Sequence, residues 1–215
     1  MNIKEQLQYA INYCNAKLSV KGVAEQATSV VDIGNKIESI QSEDTGLGSR
    51  QWWLDICKEK TNFSSLFANT SIETIPQLDT SNGKTFNSMF YYCRNLTTIP
   101  QLDVSNGTDF NYMFQNCSNL ITIPQLDTSN GRTFNDMFKY CYALENTFFV
   151  AGCIKKSISF VHSPLLNDES RQSIFDGLAD LTGQTSQTIT FHSNVKNKLT
   201  EEQIASATSK NWNIA

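Results

Sequence analysis

Three consecutive segments of this chain are near copies of one another, and a chain built that way is restricted to folds in which copies stack. Residues 75–98 read IPQLDTSNGKTFNSMFYYCRNLTT, residues 99–122 IPQLDVSNGTDFNYMFQNCSNLIT, and residues 123–146 IPQLDTSNGRTFNDMFKYCYALEN. The period is 24 residues, held without a gap. A unit that short cannot bury its own apolar face, so neighbours must lie side by side and share one core. An eroded copy precedes them: Phe63, Leu66, Phe67 and Ile72 match Phe86, Met89, Phe90 and Leu96 once one deletion is allowed.

Comparing the copies with each other separates core from surface. Ile75, Leu78, Phe86, Met89, Phe90, Cys93 and Leu96 do not change, nor do their counterparts 24 and 48 residues on. All are apolar, and each is expected to stack on its own copy. The positions that vary are Lys84/Thr108/Arg132, Ser88/Tyr112/Asp136 and Tyr91-Tyr92/Gln115-Asn116/Lys139-Tyr140. They are polar or aromatic and are expected to face water. Thr-Ile-Pro-Gln-Leu-Asp reads as the strand, its proline placed where no ladder N–H is needed. Ser-Asn-Gly is turn chemistry, with glycine available for positive φ. Phe-x-x-Met-Phe-x-x-Cys has i, i+3, i+4, i+7 spacing, which predicts one or two helical turns.

Two further rows repeat with the same period. Cys93, Cys117 and Cys141 form a ladder spaced by roughly 5 Å, one strand spacing. Three thiols in a row cannot all pair, so they read as buried free thiols acting as small hydrophobes. Asp79, Asp103 and Asp127 form the second ladder. Stacked carboxylates repel, so each needs partners. An Asx-type turn that uses local backbone N–H groups supplies them, and a calcium ion bridging neighbouring copies is the alternative. No Cys-x-x-Cys occurs, and His162 and His192 lie in or beside separate strands. No metal site and no cofactor are therefore expected.

The string Leu-x-x-Ile-Pro-x-Leu-Asp-x-Ser-Asn, followed by Phe-x-x-Met-Phe-x-x-Cys-x-x-Leu, resembles the BspA-like class of bacterial leucine-rich repeats across roughly residues 62–150. The resemblance implies a binding scaffold of the kind found in cell-surface and adhesion proteins. The fold class expected is an α/β solenoid: a leucine-rich-repeat-like right-handed coil with parallel strands, preceded by an N-terminal α-helical segment. Its parts divide as 1–48, a helical attachment or oligomerisation segment with linker; 49–74, a cap and the eroded repeat; 75–146, the three repeats; and 147–215, irregular strand–helix repeats ending in a cap.

In the last part, Ser157-Ile158-Ser159-Phe160-Val161, Thr188-Ile189-Thr190-Phe191 and Trp212-Asn213-Ile214 read as short strands. Ile174, Leu178 and Leu181 mark a helix over 167–181, and Thr200-Glu201-Glu202-Gln203 is a capping box opening another through about Lys210. Ser-Pro-Leu-Leu, Gly-Leu-Ala-Asp-Leu-Thr-Gly and the terminal Lys-Asn-Trp resemble the ends of repeat proteins from tailed bacteriophages. At the other end, Ile3, Leu7, Ile11, Cys14 and Leu18, then Val30, Ile33, Ile37 and Ile40, recur in steps of three and four. Such narrow seams belong to pairing helices, either a hairpin within the chain or a docking or oligomerisation module. The segment resembles the amino-terminal helices of phage tail or fibre proteins. Trp52, Trp53, Ile56 and Cys57 are expected to cover the first repeat.

Composition narrows the function. A net charge of −4 argues against nucleic acid, where a basic patch is the footprint. No stretch approaches the roughly 20 apolar residues needed to cross a bilayer. Charges at Lys4 and Glu5 fall where a signal peptide needs its apolar core, so synthesis without export or anchor is expected. There is no phosphate loop, nucleophile elbow or histidine pairing, and no enzymatic activity is expected. Five of the seven tyrosines, Tyr91, Tyr92, Tyr112, Tyr140 and Tyr142, lie in the repeats. Rigidly held aromatics suit sugar and protein ligands, although some could pack only against each other. The reading is a bacteriophage virion protein of the tail, baseplate or fibre. Residues 1–48 would join other virion proteins or further copies, and the repeats would meet a host-surface glycan or protein. A bacterial cell-surface adhesin and a structural head or tail decoration protein are the alternatives.

Overall fold

The computed structural model describes residues 57–215. The expectations for residues 1–48, and those for Trp52, Trp53 and Ile56, lie outside the described residues. Each copy of the repeat forms one rung, and successive rungs are bonded in parallel. Isolated parallel bridges link Asn62 to Thr85, Thr85 to Asp109, Asp109 to Thr133, and Thr98 to Thr122.

The Phe-x-x-Met-Phe-x-x-Cys segment is not helical, which corrects the expectation above. It is a run of reverse turns. In the second rung, Met89 N–H bonds Phe86 O and Cys93 N–H bonds Phe90 O, closing two consecutive four-residue turns. Ser88 (φ 56°) and Tyr92 (φ 61°) occupy the third positions, where one class of β-turn requires positive φ. The alternate N–H groups of Phe86, Ser88, Phe90 and Tyr92 bond the carbonyls of Asp109, Asn111, Met113 and Gln115 one rung on. A helix would need those donors within its own segment, so sharing them between rungs excludes it. In each turn the outer residues point inward and the middle pair outward. Phe86, Met89, Phe90 and Cys93 are therefore buried while Asn87, Ser88, Tyr91 and Tyr92 are half-buried.

The buried phenylalanines form two columns. Phe63, Phe86, Phe110 and Phe134 stack with centroids 5.4–5.7 Å apart. Phe67, Phe90, Phe114, Phe138, Phe160 and Phe191 stack at 4.8–6.0 Å. Beside them, Ser-Asn-Gly closes a turn in each copy as expected, the N–H groups of Gly83, Gly107 and Gly131 bonding the carbonyls of Thr80, Val104 and Thr128 at 2.8 Å, but these glycines do not take positive φ. Each is needed because a Cβ there would lie 2.3–2.5 Å from Cζ of the phenylalanine three residues on.

On the other face, only the third copy of Thr-Ile-Pro-Gln-Leu pairs as a strand. This strand, β1 (Thr122–Leu126), is parallel to β2 (Asn146–Phe149), with an irregularity between Ile123 and Leu126. That break spans Pro124, which has no N–H to give. The adjacent glutamines bridge the gap with side-chain amides. Gln77 Nε2 donates to Gln101 O at 2.8 Å, Gln101 Nε2 to Gln125 O at 2.6 Å, and Gln125 Nε2 to Phe149 O at 3.4 Å. Asparagines do the same at the next corner, Asn106 Nδ2 bonding Ser81 O and Asn130 Nδ2 bonding Ser105 O, each at 2.8 Å.

The last rungs differ. A three-stranded parallel sheet, β3 (Ile158–Phe160), β4 (Gln187–Phe191) and β5 (Trp212–Ile214), continues beyond the turn runs. Helix α1 (Asp168–Gly177), capped by Asn167, ends before Leu178 and Leu181, short of its expected length. It covers the edge of β2: Ser170 Oγ and Ser173 Oγ accept the N–H groups of Thr147 and Phe149 at 2.9 Å, which protects an otherwise open edge. A short α2 (Ser193–Lys196) precedes α3 (Glu201–Ser209), which opens with the Thr200–Gln203 capping box.

Candidate binding face

The turn runs place all five tyrosines at outward positions of rungs two to four, or just beyond them. Three of them, Tyr92 (φ 61°), Tyr112 (φ 59°) and Tyr140 (φ 63°), sit at left-handed backbone positions, rare for a bulky side chain. The tyrosines fall into two groups. Tyr91 and Tyr92 touch, their centroids 4.8 Å apart, and the Arg94 guanidinium lies 4.8 Å over Tyr92. Tyr140 packs against Tyr142 at 5.9 Å and against His162 at 4.6 Å. Lys139 lies 5.6 Å over Tyr140 and pairs with Asp136 at 2.9 Å, within electrostatic reach of Tyr112. Tyr112 and Tyr142 are the more exposed, at 39% and 50%.

Lys139 and Asp136, expected only to face water, belong to this face, and so does His162, which the sequence pattern did not place there. Phe160 stacks on Phe138, so His162 continues the Tyr140 position at an offset of 22 residues rather than 24. Burial pushes the His162 imidazole below its ordinary value, Lys139 and His192 add to the effect, and Asp136 opposes it. The folded chain therefore takes up this proton at lower pH than the unfolded chain does. Stability is expected to fall as pH drops below the ordinary histidine value of 6.5, and to level off below the folded value. Denaturant titrations between pH 7.5 and 5 check this, and His162→Gln should flatten that part of the curve.

The cysteine ladder serves packing. Cys93 Sγ donates to Phe67 O at 3.0 Å, Cys117 Sγ to Phe90 O at 3.0 Å, and Cys141 Sγ to Phe114 O at 3.1 Å. In the eroded rung Thr70 takes this place, its hydroxyl bonding Phe67 O at 2.7 Å. Burial raises the Cys93 thiol to about 11 and pushes Cys117, Cys141 and Cys153 up as well. At pH 8 only about one Cys93 in a thousand is thiolate. Thiol-specific labelling at these four positions should stay slow in the folded chain and become rapid only in denaturant. Fast native labelling would contradict the burial.

Each carboxylate of the aspartate ladder is held within its own turn. Asp79 Oδ1 accepts from Ser81 N and Oγ at 3.1 and 2.7 Å, and Asp103 with Ser105 and Asp127 with Ser129 repeat the geometry. Among the described residues no three His, Cys, Asp or Glu side chains come together to hold a metal. No described helix is long and apolar enough to cross a membrane.

The rungs that carry the tyrosines are also the part of the chain with a family match. Residues 60–151 match the family described as "Mycoplasma protein of unknown function, DUF285". The match covers the turn-run rungs and leaves out β3 onwards, so it spans under half of the chain. No curated protein and no solved structure matches.

Proposed function

We propose that this chain is a non-enzymatic recognition protein of a bacteriophage virion, a tail, baseplate or fibre component that presents its repeats to a host surface. The observation that carries the reading is the tyrosine-bearing turn face. Tyr91, Tyr92 and Tyr112 project from rungs whose alternate N–H groups are tied to the next rung, and Tyr140 from the rung whose carbonyls accept the last of those bonds, so little backbone freedom remains to be lost on binding. The parallel bonds at 24-residue offset support reading the stack as a right-handed leucine-rich-repeat-like solenoid. The apolar seams of Ile3, Leu7, Ile11, Cys14 and Leu18 and of Val30, Ile33, Ile37 and Ile40 support attachment to other virion proteins, or pairing between copies, through residues 1–48.

Replacing Tyr91, Tyr92 and Tyr140 together by alanine should weaken adsorption to host cells by at least about tenfold. Adsorption equal to that of the unaltered protein would remove this face from consideration. A second reading, a bacterial cell-surface adhesin, is favoured by the description of the matching family as a Mycoplasma protein. Immunogold labelling separates the two: label on particles supports the virion, and label on uninfected cells supports the adhesin.

A further inference from the structure

Two rows of side-chain amides in the repeats are occupied, whereas the exposed Asn119 and Asn135 carry side-chain amides that are free at the surface among the described residues. Gln77, Gln101 and Gln125, and Asn82, Asn106 and Asn130, all bond a neighbouring rung. Gln115 and Asn116 are half-buried, yet among the described residues their side-chain amides have no hydrogen-bond partner. They lie on the third rung, between Tyr91-Tyr92 on the second and Tyr140 on the fourth. Tyr92 and Tyr140 hold the same repeat position two rungs apart, roughly 10 Å at one strand spacing per rung.

Three of the charged groups on this strip have polar partners. Lys139 pairs with Asp136. Asp109 accepts from Asn87 Nδ2 and Thr133 Oγ1, each at 3.1 Å. Arg94 has no acidic partner among the described residues and lies over Tyr92. A strip made mostly of rings and unpaired amides, with Lys139 paired to Asp136 and the Arg94 cation laid on a ring, suits a ligand that offers apolar C–H faces and many hydroxyls and needs no charge. We infer that the strip from Tyr92 across Gln115 and Asn116 to Tyr140 binds an uncharged oligosaccharide lying along the stack. One sugar ring would rest on each tyrosine, with hydroxyls bonded to the two amides.

This rests on the recognition reading above and names its ligand class. The test is calorimetry and NMR titration of the full chain. The probes are neutral tetrasaccharides of glucose, galactose, mannose and N-acetylglucosamine, with tetragalacturonate as the charged comparison. At least one neutral tetrasaccharide should bind, and more tightly than tetragalacturonate. Tyr92→Ala and Tyr140→Ala should each weaken binding about tenfold, and Gln115→Ala and Asn116→Ala by roughly threefold to tenfold. Thermal melts of each variant guard against unfolding. Tighter binding of tetragalacturonate, or binding unmoved by the amide variants, would overturn the assignment. So would the absence of neutral binding up to about 10 mM. If none of the probes binds yet the triple tyrosine variant loses adsorption, the ligand is protein: this inference falls and the recognition reading stands. If adsorption is also unaffected, both fall.

Discussion

Phe114→Ala is expected to lower stability by about 3–5 kcal/mol, the largest loss among single aromatic truncations in the repeats. Phe114 is fully buried and sits mid-column, 5.5 Å from Phe90 and 5.8 Å from Phe138. Alanine there leaves a cavity with ring faces on both sides. The rungs on either side are held by their own cross-rung bonds, so the column cannot collapse to fill it. Rungs touch only their neighbours, so the same change should also weaken the coupling between the two halves of the stack. Denaturant unfolding should show a lower midpoint and a broader transition, whereas Phe148→Ala, at a half-buried site, should cost less. An unmoved midpoint for Phe114→Ala would mean that the ring column is not what holds the core together.

Gly107→Ala is the second large effect. Its Cβ would lie 2.5 Å from Phe110 Cζ, 2.9 Å from Val104 O and 3.0 Å from Phe86 Cδ2. Two phenylalanines of the same column and a backbone carbonyl must all yield, so the expected cost is about 2–3 kcal/mol of overpacking. Gly183→Ala is the useful contrast. There φ is +76° but the space is open, and only the backbone penalty of about 1–2 kcal/mol applies. Combining Gly107→Ala with Phe110→Leu should cost less than the sum of the separate changes, because the smaller side chain relieves the clash. Strict additivity in thermal or urea unfolding would argue that the ring is not the obstacle.

The stacking was legible in the sequence because the invariant apolar positions report their own burial: each must meet its copy. Local conformation was less legible, for reasons that particular residues explain. The i, i+3, i+4, i+7 spacing of Phe86, Met89, Phe90 and Cys93 belongs to an α-helix, and equally to two reverse turns in succession. Ser88, Asn116 and Asp136 do hint at left-handed positions, but Tyr92, Tyr112 and Tyr140 at equivalent places conceal the pattern. Gly83, Gly107 and Gly131 read as turn glycines, yet what excludes a side chain is a ring from the same rung. Of the candidate face, the tyrosines were visible from their variability. His162 was not, because the register shortens by two residues once the regular repeats end.

The left-handed backbone at the second residue of each outward pair also bears on how such a face can diversify. Ser88, Tyr112 and Asp136 share one of these positions, and Tyr92, Asn116 and Tyr140 the other. They are also positions that differ between copies, so substitutions accumulate at sites with a restricted alphabet. Valine, isoleucine and threonine are disfavoured there by their branched Cβ. Asparagine, aspartate and glycine are accepted most readily. A lineage that swaps ligands by mutating this face draws on few side chains per site. Its wider repertoire comes from adding, losing or reordering whole 24-residue units, each of which carries its own pair of such positions.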